Sequence, residues 1–335
     1  MHQGLERGTL LRNRYEIQGL IGQGGMGAVY KAADRRLPGR SCAIKEIWPP
    51  SGISDEALAQ AREQFLREAS TLARLDHPNL PKVSDYFTLT PVHADQTALT
   101  RDYLVMDYVP GKDLHQIAQQ VRREGQFLGE QDVLRWMDQL ADALSYLHSQ
   151  EPPVLHRDIK PGNIKLTPEG RIKLVDFGLV KPLDPDDPHT LTGLRGIGSL
   201  PYTPIEQYAG ELGHTDARSD LYSLGATLYH LLTGRPPASA QDRFLDPKAL
   251  LPPRQANPAI SPTVERAMLA ALSLHPKDRP ESVAAWSQML SGDAATLPVE
   301  ASPRGESWGQ ALRANWWLLL LGLAMVAAAI LLTFR

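Results

Sequence analysis

The chain has 335 residues, 42% hydrophobic and 22% charged, with a formal net charge of −3. That balance supports a sizeable core, and with neither sign dominant nothing argues for a nucleic-acid binder. The one cysteine, Cys42, excludes a disulfide framework and a multi-cysteine metal site, and fits a reducing compartment. Residues Met1 to Arg14 are polar and lack the apolar stretch of a secretory leader.

From Tyr15 to about Val109 the pattern is mainly strand, with one helix. Tyr15–Ile21 and Ala28–Ala33 are β-prone runs on either side of a glycine cluster, and Ser41–Ile47 is a third. Leu58, Phe65, Ala69 and Leu72 recur at helical spacings and predict a helix that ends before His77-Pro78. Thr90 to Arg101 reads as a surface loop between two strands, the second being Tyr103–Tyr108. From Leu114 the chain turns helical. Asp132 to His148 carries Leu134, Met137, Ala141, Leu144 and Leu147 on one face. Val154–Leu155 and Ile164–Leu166 are predicted as short strands flanking a polar loop, and Ile172–Val175 as another. Leu221–Leu232 is an apolar helix stopped by Gly234 and Pro236-Pro237. Val264–Ala271 and Val283–Leu290 are further helices. Residues 291–313 are rich in Pro, Gly, Ala and Ser and read as a linker. Trp316 to Phe334 contains no charged residue, and as a helix spans about 28 Å, close to the hydrocarbon core of a bilayer. Trp316 and Trp317 stand where an interfacial aromatic belt lies. The segment is expected to cross a membrane; a buried core helix is the alternative.

Four groups of residues point to chemistry on phosphates. Ile21, Gly22, Gln23, Gly24, Gly25, Met26, Gly27, Ala28 and Val29 form a glycine-rich loop with the G-x-G-x-x-G spacing. Glycines let backbone amides close over phosphates without a Cβ in the way. A dinucleotide fingerprint needs a helix next, whereas Ala28 to Ala32 is β-prone, which favours strand–loop–strand. Ala43-Ile44-Lys45 places a cation in an apolar strand, where it needs a carboxylate partner when no nucleotide is bound. Glu68, between Phe65 and Leu72 on the apolar side of the helix, is the candidate, with Glu63 a weaker one. His156-Arg157-Asp158-Ile159-Lys160-Pro161-Gly162-Asn163 is the rarest of the four, and Asp176-Phe177-Gly178 follows it. Together these supply a base (Asp158), a cation (Lys160) and two oxygen ligands for Mg²⁺ (Asn163 and Asp176).

At these residues the chain resembles the eukaryotic-type, or Hanks-type, protein kinases, most of all their bacterial membrane-bound serine/threonine members. Gly-Gly-Met-Gly, Tyr-Val-Pro-Gly near residue 110, and Lys160 two places after Asp158 carry that likeness, which covers about Tyr15 to Leu290. The resemblance implies an α+β bilobal kinase fold, with a β-rich lobe over 15–109 and a helical lobe over 110–290. A linker over 291–313 and a transmembrane helix over 316–334 complete the expected organisation. It implies ATP as phosphate donor, Mg²⁺ as metal with Mn²⁺ as a substitute, and transfer to Ser or Thr of a protein. Ala43 would line the ATP site, Met106 would be the gatekeeper, and Asp107 to Val109 the adenine hinge. Asp220 would cap a helix and hold the catalytic loop, and Glu206 would pair with Arg279. Two departures lie in the peptide-receiving segment. Pro204-Ile205-Glu206 has its proline one place early, and Gly198-Ser199 replaces the usual Gly-Thr. They put substrate preference in doubt.

The resemblance also implies a switch. Arg157 would receive a phosphorylated residue of the activation segment, where Thr190, Thr192, Ser199 and Thr203 are available. Thr190 and Thr192 are the expected autophosphorylation sites. Cytoplasmic ATP places the lobes inside the cell, and Arg304 and Arg313 before the apolar segment against Arg335 after it give a mild bias the same way. The expectation is a single-pass membrane protein with a cytoplasmic kinase domain and a negligible tail outside. Its signals would come from a membrane partner or from a homodimer formed by the helix, with no nucleic-acid partner. A pseudokinase and a small-molecule phosphotransferase are the competing readings. Lys45, Asp158, Asn163 and Asp176 speak against the first. The long segment between residue 178 and Glu206, with the Asp220 helix, speaks against the second.

Overall fold

In the computed structural model the residues described are 4–24, 27–48, 54–89, 100–176, 197–208 and 215–292; residues 55, 57, 58, 61, 64 and 68 are described by their backbone alone. Gly25, Met26, Phe177, Gly178, Thr190, Thr192, the 291–313 linker from residue 293 on and the 316–334 segment lie outside them. Among the described residues no helix is long and apolar enough to cross a membrane.

The first half of the described chain is a six-stranded antiparallel sheet in the order β1-β2-β3-β4-β6-β5. The strands are β1 (Leu10–Leu11), β2 (Tyr15–Gly24), β3 (Gly27–Asp34), β4 (Ser41–Ile47), β5 (Val83–Leu89) and β6 (Arg101–Asp107). Side chains directly opposite across antiparallel strands share a face, so the register sorts this sheet. Val29, Lys45 and Leu104 form one row, and Lys31, Ala43 and Met106 the next; both lie on the face toward the cleft. The other face carries Tyr30, Ile44 and Val105 in one row and Ala28, Glu46 and Tyr103 in another. It is buried with Leu11, Tyr15, Ile17 and Phe87, and Leu5 packs against it. The N-terminal residues thus cover the outer face, which leaves the cleft face to the site. Buried Glu46 on that outer face is matched by Arg101 at 2.7 Å and by the hydroxyls of Tyr30 and Tyr103.

Helix α1 (Asp55–Arg74) crosses the sheet with Phe65, Ala69 and Leu72 buried, as the spacing predicts. These residues join Leu104 and the helical lobe in one continuous core. That lobe contains α2 (Leu114–Arg123), α3 (Glu130–His148), α4 (Ala217–Thr233), α5 (Ala240–Leu245), α6 (Pro253–Ala256), α7 (Pro262–Ala271) and α8 (Val283–Ser291). A three-stranded sheet, β7 (Lys112–Asp113), β8 (Ile164–Leu166) and β9 (Ile172–Leu174), brackets the catalytic loop. α4 is buried on all sides from Ser219 to Thr233, which explains why its sequence is apolar all round. Gly234, with φ 72°, closes it in the left-handed conformation that favours glycine.

Two expectations are corrected. Val154–Leu155 is not a strand; two apolar residues suffice for the pattern, but among the described residues no strand pairs with them, and the Val154 N–H instead donates to Leu147 O. Asp220 does not cap its helix. The helix begins four residues earlier than the motif suggests, and Asp216 caps it by accepting from the Arg218 N–H. Asp220 sits in the first turn with its carboxylate pointing into the catalytic loop. Short helices α5 and α6 had no periodicity long enough to announce them.

Candidate active site

Lys45 comes to the cleft because β4 alternates, and Asp176 comes because the chain turns sharply after β9, with φ +61° at Asp176 itself. Lys45 Nζ donates to Asp176 Oδ1 at 2.8 Å. Burial pushes the Asp176 carboxyl up, but the Lys45 ammonium outweighs it and holds the group below the ordinary carboxylate range. Asp176 is thus one carboxylate beside Lys45; the sequence reading named Glu68. Glu68 lies on α1 between Phe65 and Ala69, with its side chain outside the described residues. Leu72, Pro81, Val83, Leu104 and Met106 line a small recess around this pair.

The catalytic loop is built on Asp220. Its fully buried carboxylate accepts the Arg157 N–H at 2.8 Å and the His156 N–H at 2.9 Å, and faces His148 Nε2 at 2.9 Å. These contacts hold Arg157 at φ +65°, a left-handed conformation that costs a non-glycine residue about 1–2 kcal/mol. The twist leaves the Arg157 side chain exposed and turns Asp158 into the cleft. Burial pushes the His156 imidazole below its ordinary value, and its Nε2 lies 3.3 Å from Val175 O.

Asp158 is fixed from two sides. Lys160 Nζ lies 2.8 and 3.1 Å from its carboxylate oxygens. Asn163 Nδ2 donates to Asp158 Oδ2 at 2.9 Å and to Asp158 O at 2.8 Å. With its NH₂ so engaged, Asn163 presents Oδ1 as a ligand, and Asp176 supplies a carboxylate. That oxygen pair fits a hard cation such as Mg²⁺. Lys160 also donates to Ser199 Oγ at 2.8 Å. Ser199, one of the two departures, is thereby tied to the base; sequence reasoning saw the change but not the contact. Thr203 is buried and donates to Ser199 O.

The hinge begins at the last residue of β6. Met106 is on the cleft face, and Val109 is buried. Asp107 falls on the other face, where its carboxylate meets Arg40 at 3.4 Å and accepts the Lys82 N–H. Lys31 Nζ stands 4.6 Å from the Tyr108 ring centre. Farther out, the early proline of the other departure, Pro204, stands just before the short 3-10 turn Ile205–Gln207. Glu206 on that turn pairs with Arg279 through two bonds of 2.6 and 3.0 Å. Arg279 donates its remaining N–H groups to Ser273 O, Arg218 O and Leu274 O. All five donors are used, which is what a buried guanidinium requires.

Residues 15–289 match the family described as the protein kinase domain. The chain belongs to the protein kinase family. This kinase is 35% identical over 311 residues to the serine/threonine-protein kinase pkn3 of Myxococcus xanthus, covering 89% of the chain and 53% of pkn3. It is 36% identical over 254 residues to PknA of Mycobacterium tuberculosis, covering 73% of the chain and 54% of PknA. The kinase thus spans about half the length of these relatives. Among solved structures, the apo form of PpkA-294 superposes with a TM-score of 0.67 at 28% identity, over 86% of this chain and 99% of that one. The PknI kinase domain of M. tuberculosis does so with 0.62 at 27%, over 87% and 100%. The bilobal fold is the one the motifs implied.

Proposed function

We propose that this kinase transfers the γ-phosphate of ATP to serine or threonine hydroxyls of proteins. The observation that carries the proposal is a pair of polar contact sets lining the cleft. One runs from Lys45 to Asp176, and the other from Asn163 through Asp158 to Lys160 and Ser199. Relatives named as serine/threonine kinases support the acceptor class.

In this reading the substrate hydroxyl lies against Asp158, which orients it and takes its proton as the oxygen–phosphorus bond forms and the bond to the β-phosphate oxygen breaks. Lys160 neutralises charge on the transferring group, and Lys45 holds the phosphates. The glycine loop between β2 and β3 closes above them. Mg²⁺ held by Asn163 and Asp176 would offset phosphate charge during transfer. Ser199, through Lys160, places the peptide-receiving segment beside the base.

Thr190 and Thr192 are proposed as autophosphorylation sites that pair with Arg157, whose exposed side chain suits that role. Trp316 to Phe334 is proposed as a membrane anchor with the kinase domain on the cytoplasmic side. The test of the central reading is transfer of labelled phosphate from ATP to the protein itself or to a generic basic protein, followed by phosphoamino-acid analysis. Phosphoserine or phosphothreonine from the parent and none from Asp158→Asn is expected; equal labelling by both would falsify the assigned mechanism. Phosphosite mapping of Asp158→Asn should find Thr190 and Thr192 unmodified, and protease protection of a C-terminal tag tests the orientation.

A further inference from the structure

Tyr202 stands beside the acceptor site but takes no part in the phosphate chemistry. It shares the 3-10 segment Ile197–Tyr202 with Ser199, the residue that Lys160 Nζ reaches at 2.8 Å. A peptide whose hydroxyl lies at Asp158 passes along this segment. The Tyr202 carbonyl accepts from Ser223 Oγ at 2.7 Å, and the Tyr202 hydroxyl lies 2.5 Å from His230 Nδ1. Both partners stand on α4. From α2, His115 sets its ring edge-on to that of His230, with centroids 5.5 Å apart. α2 follows β7, which pairs with β8 directly after Asn163, so both imidazoles belong to the region around the catalytic loop.

His230 is only 4% exposed. Burial and the neighbouring His115 hold its pKa down at about 4, so near neutral pH the ring is uncharged and carries a single N–H. A phenol is the better donor of the two and an imidazole nitrogen the better acceptor. The Tyr202 O–H therefore donates to Nδ1, which places the ring proton on Nε2. Nε2 has no hydrogen-bond partner among the described residues, yet it is not sealed from outside. An N–H so nearly buried is costly to leave unpaired. Neither imidazole hydrogen-bonds a carboxylate among the described residues; His115 Nε2 faces Gln119 Nε2 at 2.8 Å. The pair thus offers a donor and no anion.

We infer that His230 is a specificity-determining residue for the acceptor peptide: its Nε2–H meets an Asp, Glu, Asn or Gln side chain close to the target hydroxyl and disfavours Lys or Arg at that position. Lys and Arg carry donors alone, so they would leave both N–H groups unpaired. This rests on the proposed phosphotransfer reading. The test is a peptide library with Ser or Thr fixed and each flanking position varied in turn. The full chain phosphorylates it as parent, His230→Leu, His230→Gln and His230→Glu, with Asp158→Asn as control. At one position the parent should favour the acceptor side chains over Lys and Arg by about fivefold or more, the worth of one hydrogen bond. His230→Leu should bring that ratio to within about twofold of unity, and His230→Gln, which keeps an N–H, should preserve it. His230→Glu, which puts an acceptor where the donor was, should turn the position in favour of Lys and Arg. Each ratio is read within one protein, so a variant that folds poorly loses signal but not its ratio. A purely structural role would lower labelling of all peptides equally, and a His230→Leu profile matching the parent's overturns the assignment. So does a parent profile that is flat or favours Lys and Arg throughout. Labelling that does not depend on Asp158 overturns the phosphotransfer reading, and the assignment with it.

Discussion

Asp220→Asn tests how a buried side chain outside the cleft sets the catalytic loop. The carboxylate has two acceptor oxygens, one facing the Arg157 N–H at 2.8 Å and the other facing the His156 N–H at 2.9 Å. An amide offers one oxygen. Whichever way it turns, its NH₂ meets one of those two N–H groups. One charge-assisted bond is lost, worth about 1.5–3 kcal/mol, and the left-handed Arg157 loses part of what holds it, about 1–2 kcal/mol more. The expected loss is about 2.5–5 kcal/mol, or roughly 5–20 °C in the unfolding midpoint for a domain of this size. Because the loop carries Asp158, kcat should fall by about tenfold or more, while KM for ATP changes far less. Acid supplies a second signature. Burial pushes the Asp220 carboxyl up, but His148, His156 and the Arg157 amide outweigh it and hold the group below its ordinary value. Its contribution is thus fully present above the unfolded carboxylate pKa of about 3.9 and is lost as pH falls through the folded value. Urea unfolding of parent and variant should show a constant gap from about pH 5 upward that narrows only in stronger acid. A gap below about 0.5 kcal/mol at neutral pH, or one that widens in acid, refutes the reasoning.

Three further outcomes follow from the geometry. Glu206→Gln removes the charge opposite Arg279, whose side chain is 0% exposed, and should cost about 3–5 kcal/mol in urea unfolding; a loss under about 1 kcal/mol would mean the three carbonyl partners suffice. His230 is buried against Tyr202 and His115, and burial pushes its pKa down to about 4. A depressed base contributes stability above the unfolded value of about 6.5 that is lost as pH falls through the folded one. His230→Gln should therefore flatten the fall in stability between about pH 6.5 and 4, leaving the share due to His156. At Gly225 an added Cβ would lie 2.6 Å from the Ala271 Cβ, where α4 crosses α7. Gly225→Ala should cost about 1–3 kcal/mol, and Ala271→Gly in the same chain should return most of it; failure of that rescue would place the strain elsewhere.

What could be read without coordinates was local. β-prone runs placed β2, β3 and β4, an apolar run with its Gly and Pro stop placed α4, and a 3.6-residue period placed α1 and α3, where burial on one side of the helix imprints its repeat on the sequence. The order and spacing of Lys45, Asp158, Lys160, Asn163 and Asp176 carried the chemistry in the same way, since a loop can present a base, a cation and a ligand only at certain separations. The contacts between distant segments left no such imprint. Lys45 and Asp176 are 131 positions apart, and nothing local says which carboxylate the lysine meets. Asp216 and Asp220 look equally able to begin a helix, and only packing against the catalytic loop gives one the cap and the other the amides of His156 and Arg157. Asp107 turns from the cleft because strand register sets its face, and Arg62 meets Asp102 because α1 comes to rest across β5 and β6. Residue type and spacing determined the reaction the chain is equipped for; register and helix docking, which depend on the whole core closing at once, decided which charges meet.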